Sequence, residues 1–407
     1  MAATKTGVWD LQEVRDKQLA SEWSYYSSGD PGELWSWGYN TRGGLGLNTA
    51  TTPSNNGISS PTQVGTDSNW MYVSNGDFAL GLKSDSTLWA WGANWTGACG
   101  QNSINPFPSG GGISSPTQVG TDTTWSENFS TFNERTLAIK SDNTLWTWGG
   151  NNKGANGLNI PISTHLSSPT QLPGSWSKAE AGYATGYCTK TDGTLWSWGY
   201  NYYGALGINS ATPGGTEAYS SPVQVGTNTN WASVGNGRPW CGFATKTDGT
   251  LWAWGYNNAG QLGQNEGPGN NYSSPVQLPG TNWKSLIGRG HASFGNDPVG
   301  AVKTDGTLWM WGSNEGGEIG DNSRTQRSSP VQVPGTTWDT VSFGYHNTMA
   351  SKTDGTMWIW GSNELGQLGL NQAVAIIYSS PVQIPGTDWR TFGFSTSKRL
   401  SFGIKGT

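Results

Sequence analysis

The side chains of this 407-residue chain that could act in acid–base or metal chemistry are few and widely spaced. Its histidines and cysteines are His165, His291, His346, Cys99, Cys188 and Cys241. No two of them stand at a zinc-ligand spacing such as CxxC, so the cysteines are interpreted as buried free thiols. His291 and His346 occupy equivalent positions in two similar segments, which favours a role in a repeated structure over catalysis.

A carboxylate recurs two residues before a threonine, at Asp85, Asp142, Asp192, Asp248, Asp305 and Asp354. Four of these aspartates precede glycine, a pair typical of two-residue β-hairpin turns, so we interpret them as turn residues. The glycines of the recurring G-x-N-x-x-G-Q-L-G follow a strand and lead to another turn, which excludes a phosphate-binding loop. The sequence therefore predicts no enzyme, no cofactor and no metal site of defined spacing. A calcium ion in the Asn- and Gly-rich loops stays an open alternative.

Composition points to short strands joined by tight turns. Charged residues make up 12% of the chain, against roughly 25% in ordinary domains, while there are 61 glycines and 25 tryptophans. The formal net charge of −5 provides no electrostatic footprint for nucleic acid or an anionic membrane. No run approaches the ~18 apolar residues of a membrane span, and the N-terminus lacks the apolar stretch of a secretion signal. We expect neither nucleic acid binding nor membrane insertion.

The secondary structure that would position these side chains can be predicted from an internal repeat. The tetrapeptide W-x-W-G occurs seven times, starting at Trp35, Trp89, Trp146, Trp196, Trp252, Trp309 and Trp358. A single tryptophan recurs at 70, 125, 176, 231, 283, 338 and 389, and Ser-Pro recurs at Pro61, Pro116, Pro169, Pro222, Pro275, Pro330 and Pro381. Each unit reads as four short strands, and the Ser-Pro strand suits an outer edge. The two tryptophans of W-x-W-G share one strand face, which should pack against the neighbouring unit.

The pattern begins in mid-unit at 32–35 and ends in mid-unit at 400–405. Pairing these two ends completes one unit and removes an open sheet edge. The sequence therefore predicts an all-β, seven-bladed β-propeller over residues 30–407, with four-stranded blades and one blade closed by both termini. Residues 1–29 form a short, partly helical extension in this interpretation.

The repeated unit, with D-G-T-L-W-x-W-G-x-N-x-x-G-Q-L-G as its core, resembles the repeat of the regulator of chromosome condensation (RCC1) family across about residues 30–407. The resemblance implies the same propeller fold. Its members include a nucleotide exchange factor for a small GTPase, a plant ultraviolet-B photoreceptor and a β-lactamase inhibitor. The resemblance thus implies an interaction module without selecting one function.

Two sets of positions vary between otherwise uniform repeats, and these are the candidate binding positions. One is the polar loops at 48–58, 101–113, 159–166, 209–219, 264–272, 321–327 and 371–378. The other precedes what we expect to be the inner strand and should ring one mouth of the channel: Asp77, Phe132, Tyr183, Arg238, Trp240, Arg289, His291, Tyr345, His346, Lys398 and Arg399. Aromatic residues and arginines favour protein or glycan recognition. The alternative is that the aromatics only cap the blade cores.

The N-terminal extension carries an apolar stripe of roughly helical spacing, made of Val8, Trp9, Leu11, Val14, Leu19 and Trp23. Residues 4–14 also resemble leaders found on structural proteins of bacteriophages, particularly marine ones. The extension is therefore predicted to be an anchor.

These features favour a non-enzymatic structural or binding protein of a bacteriophage virion, assembled in the host cytoplasm and associated with tail or capsid. Its partners would be virion components and a host-surface glycan or protein. The alternative is an RCC1-like interaction module such as a nucleotide exchange factor, regulator or enzyme inhibitor. Chromatin attachment would want a basic tail, whereas residues 1–30 hold three basic and five acidic side chains. A photoreceptor would need clustered exposed tryptophans, whereas most tryptophans here occupy repeat positions.

Overall fold

Seven antiparallel β-sheets follow one another along the chain in the computed structural model. The structure describes residues 30–49, 58–104, 112–210, 217–237, 240–267, 269–284, 298–344, 346–364, 366–371, 376–394 and 400–406. The described strands of the first three blades are β3 (Trp70–Asn75), β4 (Phe78–Lys83), β5 (Leu88–Gly92) and β6 (Ile113–Gln118) in blade 1; β7 (Trp125–Phe132), β8 (Arg135–Lys140), β9 (Leu145–Gly149) and β10 (Leu166–Leu172) in blade 2; and β11 (Trp176–Gly182), β12 (Thr185–Lys190), β13 (Leu195–Tyr200) and β14 (Ala218–Gln224) in blade 3.

The next three blades repeat this arrangement. They contain β15 (Trp231–Gly237), β16 (Cys241–Lys246), β17 (Leu251–Gly255) and β18 (Tyr272–Gln277) in blade 4; β19 (Pro298–Val302), β20 (Leu308–Gly312) and β21 (Arg327–Gln332) in blade 5; and β22 (Trp338–Gly344), β23 (Asn347–Lys352), β24 (Met357–Ser362) and β25 (Ile377–Gln383) in blade 6. In blade 5, Trp283 also forms an isolated bridge with Lys303. Three-residue 3₁₀ turns lie at Thr41–Gly43, Asn152–Gly154 and Tyr202–Gly204.

The seventh blade is built from both ends of the described chain. It contains β1 (Glu33–Gly38), β2 (Ile58–Gln63), β26 (Trp389–Phe394) and β27 (Leu400–Lys405), in the order β2-β1-β27-β26. The register of β1 against β27 runs without a break from the pair Glu33–Lys405 to the pair Gly38–Leu400. We call this sheet the closing blade. It confirms the predicted seven-bladed propeller and its closure.

In blades 1 to 6 the order of strands follows the chain, and in the closing blade the strands from the C-terminal end precede those from the N-terminal end. The strand that begins at the single tryptophan contacts its counterparts in the adjacent blades and is therefore the innermost strand. The Ser-Pro strand pairs on one side only and is the outermost strand, as predicted. Proline tolerates this edge because its missing N–H is not needed for a further ladder.

The second tryptophan of each W-x-W-G motif joins one blade to the one before it. These seven indoles are fully buried, and their Nε1–H groups donate to backbone carbonyls of the preceding blade at 2.6–3.0 Å. In blade 1, Trp70 lies edge-on to both Trp89 and Trp91, so the two tryptophans of one motif share a face. The tryptophans at repeat positions are therefore framework.

The recurrent aspartates are turn residues, as the sequence indicated. In blade 3, Asp192 Oδ1 accepts from the backbone N–H and the hydroxyl of Thr194, and Thr194 Oγ1 accepts from the indole N–H of Trp196. The hydrogen bonds of Thr194 hold the pKa of Asp192 below its usual value. Gly193 supplies the positive φ of this turn, at 78°. The same arrangement recurs at Asp85, Asp142, Asp248, Asp305 and Asp354.

A lysine beside each of these hairpins completes the unit, a contact that the sequence analysis did not identify. The ammonium lies 3.8–5.2 Å from two indole centroids of its own blade, a cation–π arrangement. The lysines are Lys83, Lys140, Lys190, Lys246, Lys303 and Lys352. In each of these six blades, two tryptophans therefore contact one charged side chain.

The three cysteines are buried free thiols, as predicted. Burial raises the pKa of the Cys99 and Cys188 thiols, so both are protonated at neutral pH. No helix among the described residues is both long and apolar enough to span a bilayer. The proposed anchor residues Val8, Trp9, Leu11, Val14, Leu19 and Trp23 lie outside the described residues, and the anchor stays a prediction.

Candidate functional site

The meander of each blade places its variable segments on one face of the ring. In a four-stranded antiparallel sheet, the turn after the first strand and the loop after the third lie at the same end of the strands. The Asp-Thr hairpins lie at the opposite end. We call the side of the ring with the first set of ends the loop face and the other side the hairpin face. The described members of both variable sets therefore lie on the loop face.

The predicted rim residues that the structure describes lie at the first-to-second-strand turns. Phe132 ends the first strand of its blade, and the others lie in the turns: Asp77, Tyr183, Trp240 and His346. Arg238, Arg289, His291, Tyr345, Lys398 and Arg399 lie outside the described residues. One detail of the expectation was wrong. The innermost strand precedes these turns instead of following them, because the strand that starts at the single tryptophan faces its counterparts in adjacent blades.

A pocket of about 620 Å³ opens on the loop face and is lined by residues from blades 1 to 4. It brings four predicted residues together, namely Asp77, Phe132, Tyr183 and Trp240, while His346 does not line it. The remaining lining residues are Asn133, Glu134, Arg135, Gly150, Asn152, Lys153, Ile162, Ser163, Gly182, Ala184 and Tyr200. The turns of adjacent blades are joined here, since the Asp77 N–H donates to the carbonyl of Asn133 at 2.9 Å.

One wall of the pocket belongs to a continuous group of aromatic side chains, which we call the aromatic ridge. Its members are Phe132, Tyr183, Tyr200, Tyr202, Tyr203, Trp240 and Tyr256. The Trp240 ring lies 5.9 Å from Tyr183 and 4.8 Å from Tyr202, both edge-on. Tyr200 stacks on Tyr202 at 5.4 Å, and Lys153 lies over Tyr200. All members except Phe132 are only partly buried, so the ridge offers ring surface to a ligand.

Two hydroxyl groups of the ridge have a pKa above the usual value for tyrosine. The side-chain hydrogen bond with Tyr202 is the main cause that raises the pKa of Tyr203 to about 12, and burial raises the pKa of Tyr256. Tyr203 has a φ of 54°, the left-handed region that a non-glycine residue seldom adopts. Its ring lies 4.6 Å from that of Tyr256. The ridge thus presents aromatic rings with polar tips, which suit contacts that are part apolar and part hydrogen-bonded.

Arg135 is the charged residue of the pocket that is most deeply buried, with 4% of its surface exposed. Its Nη2 donates to the carbonyl oxygens of Gly182 and Thr185, at the turn of the next blade. Burial lowers the pKa of its guanidinium, because the charged form is removed from water. Arg135 therefore fixes the turn that carries Tyr183 and keeps a positive charge at the pocket wall.

The sequence analysis missed Arg135 and the four tyrosines at 200, 202, 203 and 256. Tyr200 and Tyr256 directly follow W-x-W-G, as Tyr39 does, so they read as part of the repeat. Arg135 could have been found by comparing the repeats, because it is the first residue of the second strand of its blade. That position holds an uncharged residue in every other blade: Phe78, Thr185, Cys241, Pro298, Asn347 and Leu400.

His346 has a local partner on another part of the loop face. Its Nδ1 lies 2.7 Å from Oε1 of Glu318, a carboxylate with no exposed surface. Oε2 of Glu318 accepts from the N–H of Gly316, as the Gln261 amide oxygen accepts from Ala259 in the preceding blade. In the described residues, no three His, Cys, Asp or Glu side chains are grouped as metal ligands.

Solved structures with the same fold include Prp20p from Saccharomyces cerevisiae, from a study of its binding to Gsp1p and histones. It is 19% identical, with a TM-score of 0.77 and coverage of 95% of each chain. The same yeast protein bound to Kap60 gives a TM-score of 0.75 at 19% identity, over 100% of this chain and 95% of that one. Human WBSCR16 gives 0.71 at 17% identity, over 92% of this chain and all of the other.

The family model described as the regulator of chromosome condensation (RCC1) repeat matches residues 31–79, 192–238, 248–288, 305–351 and 354–392. A second model of the same description matches residues 338–367. The matched segments together exceed half of the chain, and each falls on the repeating tryptophan, Asp-Thr and Ser-Pro framework described above. This chain belongs to the RCC1 repeat family.

Proposed function

We propose that this protein is a non-enzymatic binding module that engages a protein partner through the loop face, with the aromatic ridge at the centre of the contact. The observation that carries the proposal is the ridge itself. Trp240 and five tyrosines lie in mutual contact on blades 3 and 4, partly exposed, although the framework does not require aromatic residues there.

The chemistry of the ridge suits protein recognition. Tyrosine and tryptophan dominate the energetically important positions of protein interfaces, because they supply large contact area with few rotatable bonds. The surrounding loops are rich in Asn, Ser and Gly, which add adaptable hydrogen bonds. Family membership supports the same conclusion, since Prp20p was studied for its binding to Gsp1p and histones and solved with Kap60.

A more specific form of the proposal is that the partner is a virion component or a host-surface protein or glycan, and that residues 1–29 are the anchor. Its support is the resemblance of residues 4–14 to phage leaders and the apolar stripe from Val8 to Trp23. Mass spectrometry of purified particles tests it. The protein is expected at stoichiometric amounts, and its absence from the particles would contradict this form while leaving the binding module intact.

Site-specific photocrosslinking tests the binding module. A benzophenone amino acid replaces Tyr202 on the loop face and, as the matched control, Thr191 on the hairpin face of the same blade. In cells of the organism that encodes the chain, we expect one discrete protein adduct from position 202 and none from position 191. The adduct should disappear in a Trp240→Ala background that melts normally. Equal labelling from both faces would contradict the proposal.

A further inference from the structure

We propose that the pocket beside Arg135 binds a carboxylate group of the protein partner, with the guanidinium of Arg135 as its counter-charge. The inference rests on the proposed function and identifies what part of the partner the loop face selects. Four features of the pocket carry it: an incompletely bonded buried cation, the repeat, the charge of the lining and the aromatic wall.

The hydrogen bonds of the Arg135 guanidinium leave donors unused. Both of its bonds are made by Nη2, to the carbonyls of Gly182 and Thr185. Nε is buried with no hydrogen-bond partner. No ion pair joins Arg135 to a carboxylate among the described residues. Buried charges are nearly always paired, because burial without a counter-charge is costly.

The repeat shows that the fold does not require this charge. The equivalent positions of other blades hold Phe78, Thr185, Cys241 and Leu400, all uncharged, on the same register against the glycine of W-x-W-G. Blades with those residues form the same sheet without a cation. The charge of Arg135 is therefore specific to this pocket and not a part of the propeller framework.

The charges that line the pocket favour a single negative charge on the ligand. Arg135 and Lys153 are balanced by Asp77 and Glu134, so the formal charge of the lining is zero. A carboxylate carries one negative charge, which Arg135 can neutralise. A phosphate dianion carries a second negative charge, which the carboxylates of Asp77 and Glu134 would repel. An ionised donor also makes stronger hydrogen bonds with a carboxylate than with the neutral carbonyls it now contacts.

The aromatic wall accommodates the carbon skeleton that carries the carboxylate. Phe132, Tyr183 and Trp240 line the same pocket as Arg135, with Phe132 6.1 Å from Tyr183. At about 620 Å³ the pocket has room for one or two side chains of a partner and not for a folded domain. A Glu or Asp side chain, or a C-terminal carboxylate, inserted from the partner fits this combination.

Three capped peptides distinguish the sources in ligand-observed NMR titrations against the intact protein. Acetyl-Leu-Glu-Leu-amide carries a side-chain carboxylate, acetyl-Leu-Gln-Leu with a free C-terminus carries a terminal one, and acetyl-Leu-Gln-Leu-amide carries neither. We expect at least one carboxylate peptide to bind tenfold or more tightly than the neutral peptide. Equal binding of all three, or tighter binding of a phosphoserine peptide than of either carboxylate peptide, would overturn the assignment.

The variant Arg135→Leu separates recognition from folding, because Leu400 already occupies this position in the closing blade. It should reduce binding of the carboxylate peptide at least tenfold while the protein still folds, with a lower melting temperature because the bonds to Gly182 and Thr185 are lost. Unchanged binding in a folded Arg135→Leu protein would refute the proposal, as would unfolding of this variant together with unfolding of Arg135→Lys. A Tyr202 adduct that forms equally well in Arg135→Leu would refute the pocket and leave the loop-face proposal standing.

Discussion

Closure of the ring makes a quantitative prediction at Phe402. This side chain is fully buried on β27, 5.6 Å from the Trp91 ring of blade 1, and it packs in one cluster with Leu34 of β1. Phe402 therefore joins the last described strand to the first and to the adjacent blade. Truncating a buried phenylalanine typically costs about 3–5 kcal/mol, because apolar contact is lost and a cavity remains. Phe402→Ala should lower the free energy of unfolding by about that amount.

Blade 4 provides a matched control. Phe243 occupies the equivalent position of β16, is equally buried, and lies 6.4 Å from Trp311 of the following blade. If the closing blade is as well formed as a continuous one, Phe402→Ala and Phe243→Ala should agree within about 1 kcal/mol, since they remove the same contacts.

Guanidinium unfolding followed by tryptophan fluorescence measures both variants, and melting temperatures should fall by roughly 3–6 °C in each. Deleting residues 400–407 removes Leu400, Phe402 and Ile404 at once, at roughly 1.5–3 kcal/mol each, which approaches the whole stability of a typical domain. The truncated chain should unfold or associate. A Phe402→Ala cost below about 1 kcal/mol beside a full cost for Phe243→Ala would refute the closure.

Three further outcomes are expected. Thr250→Val should lower the free energy of unfolding by about 1–2 kcal/mol in denaturant titration, because it leaves Asp248 and the Trp252 indole without their shared hydroxyl. Thr250→Ser should recover most of this loss, and an unchanged stability of Thr250→Val would contradict the expectation. The depressed pKa of Asp248, caused mainly by the Thr250 hydroxyl, means that its stabilising contribution is present above the unfolded pKa of about 3.8 and is lost as pH falls through the lower folded pKa. Asp248→Asn should therefore weaken the dependence of stability on pH in that acid range, and an unchanged dependence would contradict the assignment. His346→Ala should cost about 1–3 kcal/mol by leaving the buried Glu318 carboxylate without its partner, and Glu318→Gln in the same chain should restore most of the loss; no recovery in this double-mutant cycle would show that the pair is not coupled.

Residues that recur could be interpreted from the sequence, because seven copies average out local variation. The W-x-W-G motif, the Asp-Gly turns and the Ser-Pro edge strand predicted the blades, the framework role of tryptophan and the closure by β27. The lysine beside each hairpin also recurs, yet its contact with two indoles depends on the pairing of the strand at Trp70 with the strand at Phe78, a register that sequence periodicity does not specify.

The candidate site was only partly predictable, because it depends on departures from the repeat. Trp240 and Tyr183 were found since they vary at a turn position. Tyr202 and Tyr203 were missed because their contact with Trp240 is between adjacent blades and depends on the left-handed turn at Tyr203. Arg135 was missed because hydrophobic pattern alone does not explain a charge on a buried strand, whose bonds to the next blade appear only in three dimensions.

The central claim is that the ridge binds a protein partner while the rest of the propeller supports it. The affinity of the crosslinked partner for the Tyr202→Ala/Trp240→Ala variant measures this most directly, with Thr191→Arg on the hairpin face as the control. Loss of two interface anchors of about 2 kcal/mol each predicts a Kd weaker by on the order of 1,000-fold in the ridge variant, at an unchanged melting temperature. An unchanged Kd in the ridge variant, or an equal loss in Thr191→Arg, would contradict the account.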